Sequence, residues 1–417
     1  LPEESDRWNW IESTARELFT RYNYRELRLP IAEKIGLFSR SIGESSDIVE
    51  KEMYSFEDRD GSILALRPEG TASVVRAYVE HSLHVKEAVS KLFYVGPMFR
   101  RERPQKGRYR QFHQIGLEVL GRDDPAIDAE VIVLIDDLLG RLGVSHARVR
   151  ISSLGDAQCR PAYREALVEF GRAHIDALCD NCRRRLEQNP LRLLDCKEEG
   201  CQAVTADAPS MDRYLCAPCR DHFDAVCAIL TGEGVDYAVD QRLVRGLDYY
   251  CRTAFEIVAE GLGSQNAVGG GGRYDGLVKA MGGPEIPGVG AALGLERLAM
   301  VAGETPLHGG AEIFIAPLGA EADLIAARLA HGLRRHGVAV EAESGAKSLK
   351  SHMRRADKLG VRWVVILGEQ ELGRGAASIR DMSAKLDFQC AIPLDSRPED
   401  FFDGLRRLAA EPVSRPA

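Results

Sequence analysis

The sequence predicts a chain with an α+β domain at the N-terminal end and an α/β domain at the C-terminal end. Up to about residue 150, tandem strands with interspersed helices replace a regular βαβ alternation, which favours an antiparallel sheet. After residue 311 the order is βαβαβ, which favours a mostly parallel sheet covered by helices. The length of 417 residues accommodates two to three domains of roughly 150 residues each.

Composition excludes several classes of protein. No run of roughly 18 apolar residues occurs, so we expect no transmembrane helix and no membrane partner. The first residues, Leu-Pro-Glu-Glu-Ser-Asp, lack the basic and apolar regions of a signal peptide, so a cytoplasmic protein is expected. The formal net charge of −8 gives no overall indication of nucleic-acid binding. Cysteines in such a chain are expected to be thiols or metal ligands.

Periodicity locates the elements of the N-terminal part. Apolar residues at helical spacing predict a helix over 5–22, and residues 24–30 are expected to form a strand that ends at a proline. Further strands are predicted at 62–66, 91–100 and 112–120, and helices at 71–81 and 124–142. The polar stretch between the strands at 91–100 and 112–120 indicates a hairpin.

The rest of the chain divides by composition. Residues 160–232 are rich in cysteine and have a helical charge pattern, whereas residues 233–305 are rich in glycine and resemble strands. Breakers and polar residues at 302–310 indicate a linker. The C-terminal block is predicted to contain strands at 312–317, 338–341 and 362–368 and helices at 321–336 and 347–359.

The hairpin loop at 100–110, Arg-Arg-Glu-Arg-Pro-Gln-Lys-Gly-Arg-Tyr-Arg, is the most unusual segment. It has five arginines and a lysine against one glutamate. Guanidinium forks match phosphate oxygens, although a solvated charged turn has the same composition. On the strand that follows, alternate residues share one face and include two polar side chains and a glycine, which suggests a ligand platform. These residues are Phe112, Gln114, Gly116 and Glu118.

Three later segments also contain residues suited to binding. Arg245 lies in Leu-Val-Arg-Gly-Leu-Asp-Tyr-Tyr, whose two tyrosines are equally consistent with a core pair. Four consecutive glycines at 269–272 either allow another group to approach the backbone or form a turn, and they are not a P-loop. Arg297 lies in the first turn of a predicted helix, where the dipole opposes a cation; it is either kept for an anion or exposed at the surface.

Together and in this order, these segments resemble the class II aminoacyl-tRNA synthetases, and specifically the histidyl-tRNA synthetase family. The resemblance covers nearly the whole chain. Residues 7–42, with Pro30, look like motif 1, the hairpin like motif 2, and 288–300 like motif 3. The segments at 243–250 and 271–278, with Gly-Gly-Arg-Tyr-Asp-Gly-Leu-Val in the second, are close to diagnostic for the histidine enzymes, while Leu-Arg-Pro-Glu-Gly-Thr at 66–71 is shared more widely.

The resemblance implies an architecture and an activity. The catalytic domain would comprise 1–159 and 233–305 around an antiparallel six-stranded sheet flanked by helices, with a helical insertion at 160–232 and an α/β anticodon-binding domain at 311–417. The enzyme, a homodimer, would activate L-histidine with ATP and Mg²⁺ to histidyl-adenylate and pyrophosphate. It would then transfer histidine to the 3′ end of tRNA(His) and release AMP.

The resemblance also implies roles for individual residues. Arg100 would bind the α-phosphate and act in catalysis with Arg245, Phe112 would stack on adenine, and Arg108 and Arg297 would bind ATP, the latter at the γ-phosphate. The histidine-binding residues would be Glu69, Thr71, Gln114, Glu118, Tyr249, Tyr250 and Tyr274. Chemically, a carboxylate such as Glu118 accepts from the imidazole N–H and a phenol such as Tyr250 donates to the other ring nitrogen.

Two further groups of side chains are candidate sites. Basic residues spaced i, i+3, i+4 form a stripe on the predicted helix at 347–359, either a footprint for RNA or a solvated face. They are Lys347, Lys350, Arg354 and Lys358. Two Cys-x₂-Cys pairs in the insertion suit a structural Zn²⁺, the alternative being unbound thiols. They are Cys179, Cys182, Cys216 and Cys219.

Three other functions compete with this interpretation. A non-catalytic, histidine-sensing regulatory paralogue would lack the anticodon-binding block and the catalytic arginines, both of which are present. A threonyl, prolyl or glycyl enzyme is disfavoured by the segment at 243–250. A kinase-fused regulatory domain is disfavoured because the sequence has no kinase motifs.

Overall fold

A computed structural model of the chain describes residues 1–43, 48–263, 266–304, 310–345, 347–383, 386–393, 400–401 and 403–404. The chain divides into two compact units, Leu1–Thr305 and Pro306–Ala417. Residues 305–309, which belong to the expected linker, lie outside the described residues. Within the described ranges, no helix is both long and apolar enough to cross a bilayer.

The first unit contains helices and strands that follow one another without regular alternation. Its helices are α1 (Pro2–Arg21), α2 (Ile35–Ile42), α3 (Thr71–Glu80), α4 (Leu83–Lys86), α5 (Pro125–Arg141), α6 (Arg160–Ala173), α7 (Asp180–Gln188), α8 (Glu199–Thr205), α9 (Ala217–Gly232), α10 (Leu277–Ala280) and α11 (Leu295–Val301). Its strands are β1 (Arg25–Glu26), β2 (Ala32–Lys34), β3 (Tyr54–Glu57), β4 (Ile63–Leu66), β5 (Ser90–Phe99), β6 (Gln111–Leu120), β7 (Ala147–Ser153), β8 (Tyr237–Val239), β9 (Cys251–Ala259), β10 (Ala267–Arg273) and β11 (Gly288–Gly294).

The main sheet is larger than the six-stranded sheet that the resemblance implied. It has eight strands in the order β1-β5-β6-β11-β10-β9-β7-β8 and is mixed, instead of six-stranded and antiparallel. The six central strands pair antiparallel throughout, whereas the edge strands β1 and β8 add parallel pairs. These edge strands have two and three residues, too few to produce a periodic signal in the sequence.

The expected strand at 24–30 is limited to β1, because the carbonyls that follow have a different partner. The Arg67 guanidinium donates to the carbonyl oxygens of Leu29 and Pro30 at 2.9 and 3.2 Å. These bonds replace strand pairing after β1. The helix at 5–22, the hairpin of β5 and β6, and the strand-to-helix passage from β11 to α11 agree with the periodicity.

One face of the main sheet is covered by helices α1, α5, α9 and α11, which together bury a large apolar core. In β6, Ile115, Leu117 and Val119 point into this core and are fully buried. Because side chains alternate along a strand, Gln114 and Glu118 point to the opposite face. The opposite face is therefore where polar side chains can form a binding site.

A buried ion cluster stabilises the junction of α5, α9 and β10. Arg273 is fully buried, donates to Asp128 and Asp275, and contacts the carbonyl of Arg122 at 3.0 Å. Asp128 also contacts Nε2 of His222 at 2.8 Å. The carboxylate of Asp128 raises the pKa of Arg273. Despite its burial, the pKa of Asp128 is held below its usual value by the hydrogen bond to His222 and by the charge of Arg273. Arg273 therefore has a structural role in this motif. Its ion pairs hold the backbone in place next to Tyr274.

The second unit contains a five-stranded sheet in the order β13-β12-β14-β15-β16. Its strands are β12 (Ile313–Pro317), β13 (Val340–Ala342), β14 (Trp363–Leu367), β15 (Ala376–Asp381) and β16 (Leu386–Pro393), and its helices are α12 (Ala320–Arg335), α13 (Leu349–Leu359) and α14 (Glu369–Arg374). The first three strands pair in parallel as expected. The last two pair antiparallel, so the sheet is mixed.

Candidate active site

A cavity of about 320 Å³ opens on the polar face of the main sheet. It is lined by the start of α3, the hairpin of β5 and β6, the segment that precedes β9, strands β10 and β11, and the start of α11. Most of the residues predicted to bind ATP or histidine line it: Glu69, Thr71, Arg100, Arg108, Phe112, Gln114, Arg245, Tyr249, Tyr250 and Arg297. The two others, Glu118 and Tyr274, lie beneath its wall.

The hairpin contributes two of its five arginines to the cavity, Arg100 and Arg108. Arg100 donates to the carbonyl of Pro68 at 2.9 Å, and its guanidinium carbon lies 5.1 Å from the ring centroid of Phe112. Arg108 pairs with Glu102 at 2.9 Å. Both cations are therefore held in place by neighbours before any ligand binds.

Arg297 faces the hairpin from the start of α11. Its Nε donates to the carbonyl of Gly107 at 3.3 Å, and its Nη1 donates to the carbonyl of Ala267. Burial, and after it the charge of Arg108, lowers the pKa of Arg297. Two guanidinium groups that repel each other in one cavity favour a bound polyanion, because an anion between them removes the repulsion.

Arg245 has spare hydrogen-bonding capacity. Its Nη1 donates to Oε1 of Glu256 at 3.2 Å. Its Nε is buried and has no hydrogen-bond partner in the described part of the chain, and the same is true of Oε1 of Gln114. A buried donor and a buried acceptor without partners at one cavity indicate that a ligand completes them.

Beneath the cavity, Glu118 is fully buried and accepts two short hydrogen bonds. The hydroxyl of Thr71 donates at 2.6 Å and that of Tyr274 at 2.5 Å. Burial raises the pKa of Glu118 to about 8. Gly290 is required here, because a Cβ on it would lie 1.7 Å from Oε2 of Glu118.

Glu69 occupies the wall above and caps the start of α3. Its carboxylate accepts from the backbone N–H of Thr71 at 2.7 Å and of Ala72 at 2.9 Å. Burial raises its pKa despite these bonds. The negative side chain at a helix N-terminus is favourably placed in the field of the helix dipole.

Sequence reasoning missed two acidic residues of the cavity wall, Glu256 and Glu296. Glu256 was detectable as a charged residue within the apolar second half of strand β9. Glu296 was likewise detectable as a charged residue at the start of α11. Its carboxylate accepts from the backbone N–H of His113 at 2.9 and 3.0 Å. Both carboxylates position neighbouring groups of the cavity.

The cysteines do not converge as predicted. Cys179 and Cys182 belong to one cluster, with Cys196 and Cys201, whereas Cys216 and Cys219 belong to another, with Asp156 and Cys159. The expected single set of four is therefore wrong. The pairing within each Cys-x₂-Cys is local, but the residues that complete each cluster come from elsewhere in the chain.

In the second unit, the predicted basic stripe is exposed. Lys347 precedes α13, and Lys350, Arg354 and Lys358 lie along the exposed face of this helix. Its opposite face buries His352 and Ala356. Lys347 also pairs with Glu343 at 2.5 Å.

Two family models and a close relative in sequence match this chain. A model described as histidyl-tRNA synthetase matches residues 1–298, and one described as anticodon binding domain matches residues 312–398. The chain is 52% identical over 394 residues to the histidine–tRNA ligase of Geobacter sulfurreducens, an alignment that covers 94% of this chain and 95% of the relative.

Solved structures are also similar to this chain. The crystal structure of apo histidyl-tRNA synthetase from S. aureus is similar with a TM-score of 0.80 at 35% identity, covering 96% of this chain and 97% of that one. A Bacillus halodurans structure described as an ATP phosphoribosyltransferase regulatory subunit/histidyl-tRNA synthetase has a TM-score of 0.63 at 22% identity, covering 88% and 95%. This second likeness is one of fold alone.

Proposed function

Since the chain belongs to the histidyl-tRNA synthetase family, we propose how its cavity carries out the reaction of a histidine–tRNA ligase. The enzyme activates L-histidine with ATP to histidyl-adenylate and pyrophosphate. It then transfers histidine to the 3′ end of tRNA(His) and releases AMP. The roles of individual residues below are part of the proposal.

ATP enters with Mg²⁺ as the substrate complex and lies along the arginine side of the cavity. Arg100 binds the α-phosphate, Arg297 the γ-phosphate, and Arg108 the phosphates between them, while adenine stacks on Phe112. The lowered pKa of Arg297 next to Arg108 supports this assignment, because a triphosphate neutralises both charges. The observation that carries the proposal is that arginines from three separate segments, including Arg245, line one cavity.

Histidine lies on the opposite side of the cavity. Its α-ammonium group donates to the carboxylate of Glu69, to the unpartnered Oε1 of Gln114 and to the hydroxyl of Thr71. Tyr249 and Tyr250 border the side chain. These groups provide acceptors for a cation at one end and aromatic surface at the other, as an amino acid with an imidazole ring requires.

We assign Glu118, Tyr250 and Tyr274 to recognition of the imidazole. A carboxylate offers about four acceptor positions, and two are taken by Thr71 and Tyr274. Glu118 thus retains acceptor capacity for the imidazole N–H, and because Thr71 covers it, this contact requires the Thr71 side chain to turn aside. A site that must satisfy buried polar groups at both ring nitrogens rejects apolar amino acids strongly, because such a ligand leaves those groups unpaired.

The chemical step is an in-line attack of the histidine carboxylate on the α-phosphorus. Two anions have to approach, and negative charge accumulates on the phosphoryl oxygens. Arg100 and Arg245 stabilise this charge from two sides, and no protein nucleophile takes part. The unpartnered Nε of Arg245 supports its role, since it can donate to the reacting carboxylate or phosphate without breaking the bond to Glu256.

The proposal extends to the whole molecule. We assign catalysis to 1–159 and 233–305, an insertion to 160–232, and anticodon binding to 311–417, with Lys347, Lys350, Arg354 and Lys358 on the tRNA backbone. The exposure of these four side chains supports this assignment. We further propose a homodimer formed through 7–42 and a cytoplasmic location.

The test is histidine-dependent pyrophosphate exchange with Arg245→Ala. Removing a donor that acts on developing charge is expected to reduce exchange by roughly 10²–10³-fold, with histidine binding by calorimetry retained. Arg245→Lys should restore part of the rate, and Arg242→Ala, at an exposed residue directly before the same segment, is the matched control. Exchange near the unchanged rate in Arg245→Ala would remove Arg245 from the mechanism. A panel of all twenty amino acids tests the histidine assignment.

A further inference from the structure

The helical segment between β7 and β8 contains two clusters of potential metal ligands. The first consists of four cysteines: Cys179, Cys182, Cys196 and Cys201. The second consists of three cysteines and a carboxylate: Asp156, Cys159, Cys216 and Cys219. In each cluster one ligand atom per residue lies within 4.8 Å of all the others. Neither cluster takes part in the reaction described above.

The spacing of the sulfur atoms fits a single ion. Zinc–thiolate bonds are about 2.3 Å long and tetrahedral, which places neighbouring sulfur atoms about 3.8 Å apart. The Sγ atoms of Cys179 and Cys196 are separated by 3.9 Å. Four ligand atoms gathered this closely surround one ion and leave no room for a cluster of several metals.

The two clusters are built on the same local structure. Cys179 is the N-cap of α7 and Cys182 lies in its first turn, and Cys216 and Cys219 have the same positions in α9. A Cys-x₂-Cys pair at a helix start therefore points both sulfur atoms to one side. Thiolates here are stabilised by the positive end of the helix dipole.

Backbone N–H groups also point at sulfur atoms of both clusters. The N–H of Cys179 donates to Sγ of Cys201 at 3.2 Å, and the N–H of Cys216 donates to Sγ of Cys159 at 3.1 Å. Such bonds from the surrounding backbone orient and stabilise metal-bound thiolates. The same bond therefore recurs in both clusters.

We propose that this segment binds two structural zinc ions, one in the four-cysteine cluster and one in the cluster of three cysteines and Asp156. Both donor sets are ones that zinc accepts. Each cluster sits within its own small apolar core. Small cores of this kind are commonly stabilised by a metal.

The zinc ions support the substrate-binding segment at 243–250. Arg160, directly after the ligand Cys159, donates to the carbonyl of Tyr250. Asn189, at the end of α7, donates to Asp248 at 3.0 Å. Each metal cluster thus lies next to an element that contacts the segment carrying Arg245, so metal loss is expected to loosen that segment.

Metal analysis of the full chain, purified without chelators, tests the proposal. We expect two zinc ions per chain. Cys182→Ser and Cys219→Ser should each retain one, and the double variant none, whereas Cys227→Ser, an intrachain control outside both clusters, should retain two. Thiol titration of the unfolded, unreduced protein should show all cysteines free after chelation.

Cobalt substitution counts the metal sites on the unmodified chain. It therefore tests the proposal even if the cysteine variants fold poorly. Two equivalents of Co²⁺ should produce tetrahedral d–d bands, with a thiolate charge-transfer intensity that corresponds to seven cysteine ligands. Saturation at one equivalent would overturn the second site. Absence of near-stoichiometric zinc, disulfides in place of thiols, or iron in place of zinc would overturn the proposal as a whole.

Discussion

Glu118 provides a quantitative test of the site, because a buried carboxyl with a raised pKa makes stability depend on pH. Without a bound ligand the group is mostly protonated at neutral pH and, like an amide, has both a donor and an acceptor atom, whereas an imidazole N–H that donates to it favours the carboxylate. The hydroxyls of Thr71 and Tyr274 either donate or accept, so both fit an amide as well. We therefore expect Glu118→Gln to fold with the same contacts.

The expected magnitude follows from the pKa of Glu118, which burial raises from 4.5 to about 8. The folded state holds the proton more tightly than the unfolded chain. Stability of the natural chain accordingly falls as the pH rises from about 4.5 to about 8, and does not fall further through this group above that range. At 1.36 kcal/mol per pKa unit the whole loss is about 5 kcal/mol, of which about 3.5 kcal/mol lies between pH 5 and pH 8.

The assay is urea unfolding of the first unit at pH 5, 6, 7 and 8. Trp8 and Trp10 lie in α1 and Trp363 lies in the second unit, so a Trp363→Phe background makes tryptophan fluorescence report on the first unit alone. The free energy of unfolding of Glu118→Gln, relative to the unsubstituted background, should increase by about 3.5 kcal/mol from pH 5 to pH 8.

The comparison isolates Glu118 because other titrating groups are the same in both proteins. Glu165→Gln, an exposed position on α6, is the matched control and should show a difference that is constant with pH. If the difference for Glu118→Gln is also constant, the carboxyl titrates normally. The burial argument for this residue would then be refuted.

Three further substitutions test other parts of the structure. Gly116→Ala would place a Cβ 2.1 Å from Cζ of Tyr94, so urea unfolding should show a loss of about 1–3 kcal/mol; Gly140→Ala, where a Cβ meets nothing within 4 Å, is the control and should not destabilise. Asp128→Asn removes one of the two carboxylate partners of the fully buried Arg273 and leaves Asp275 alone to balance its charge, so it should cost about 3 kcal/mol in the same assay; a loss below about 0.5 kcal/mol, as for an exposed ion pair, would contradict the buried ion cluster. Lys350→Glu should weaken tRNA binding in a filter assay without changing pyrophosphate exchange, and unchanged tRNA affinity would remove it from the interface.

Periodicity predicted the elements that pack against the core, since their apolar residues repeat at the spacing of a helix or strand. It failed where pairing depends on distant residues. The strand expected at 24–30 is short because Arg67 occupies the carbonyls of Leu29 and Pro30. Likewise, β15 pairs antiparallel with β14 and with β16, which makes the second sheet mixed. The local sequence does not show this pairing direction.

Prediction of the candidate active site from the sequence meets the same limit. Alternation correctly put Gln114, Gly116 and Glu118 on the face opposite the core, but alternation does not show what covers each position. Gln114 reaches the cavity, Gly116 makes room for the ring of Tyr94, and Glu118 is covered by Thr71. Which side chain touches a ligand is decided by the helix that packs over the strand.

The glycine run at 269–272 explains how the antiparallel centre of the main sheet accommodates a polar cavity. It lies within β10 and is not a turn. A Cβ on Gly270 would lie 3.0 Å from Nη1 of Arg245, and one on Gly272 would lie 3.0 Å from Cδ1 of Tyr250. Both also would approach carbonyl oxygens of β9 to 2.5 Å. Because the strand has no side chains at these points, the segment at 243–250 can rest directly on the sheet. The close approach to the backbone that glycine permits therefore serves the protein's own arginine and tyrosine, and through them the substrates.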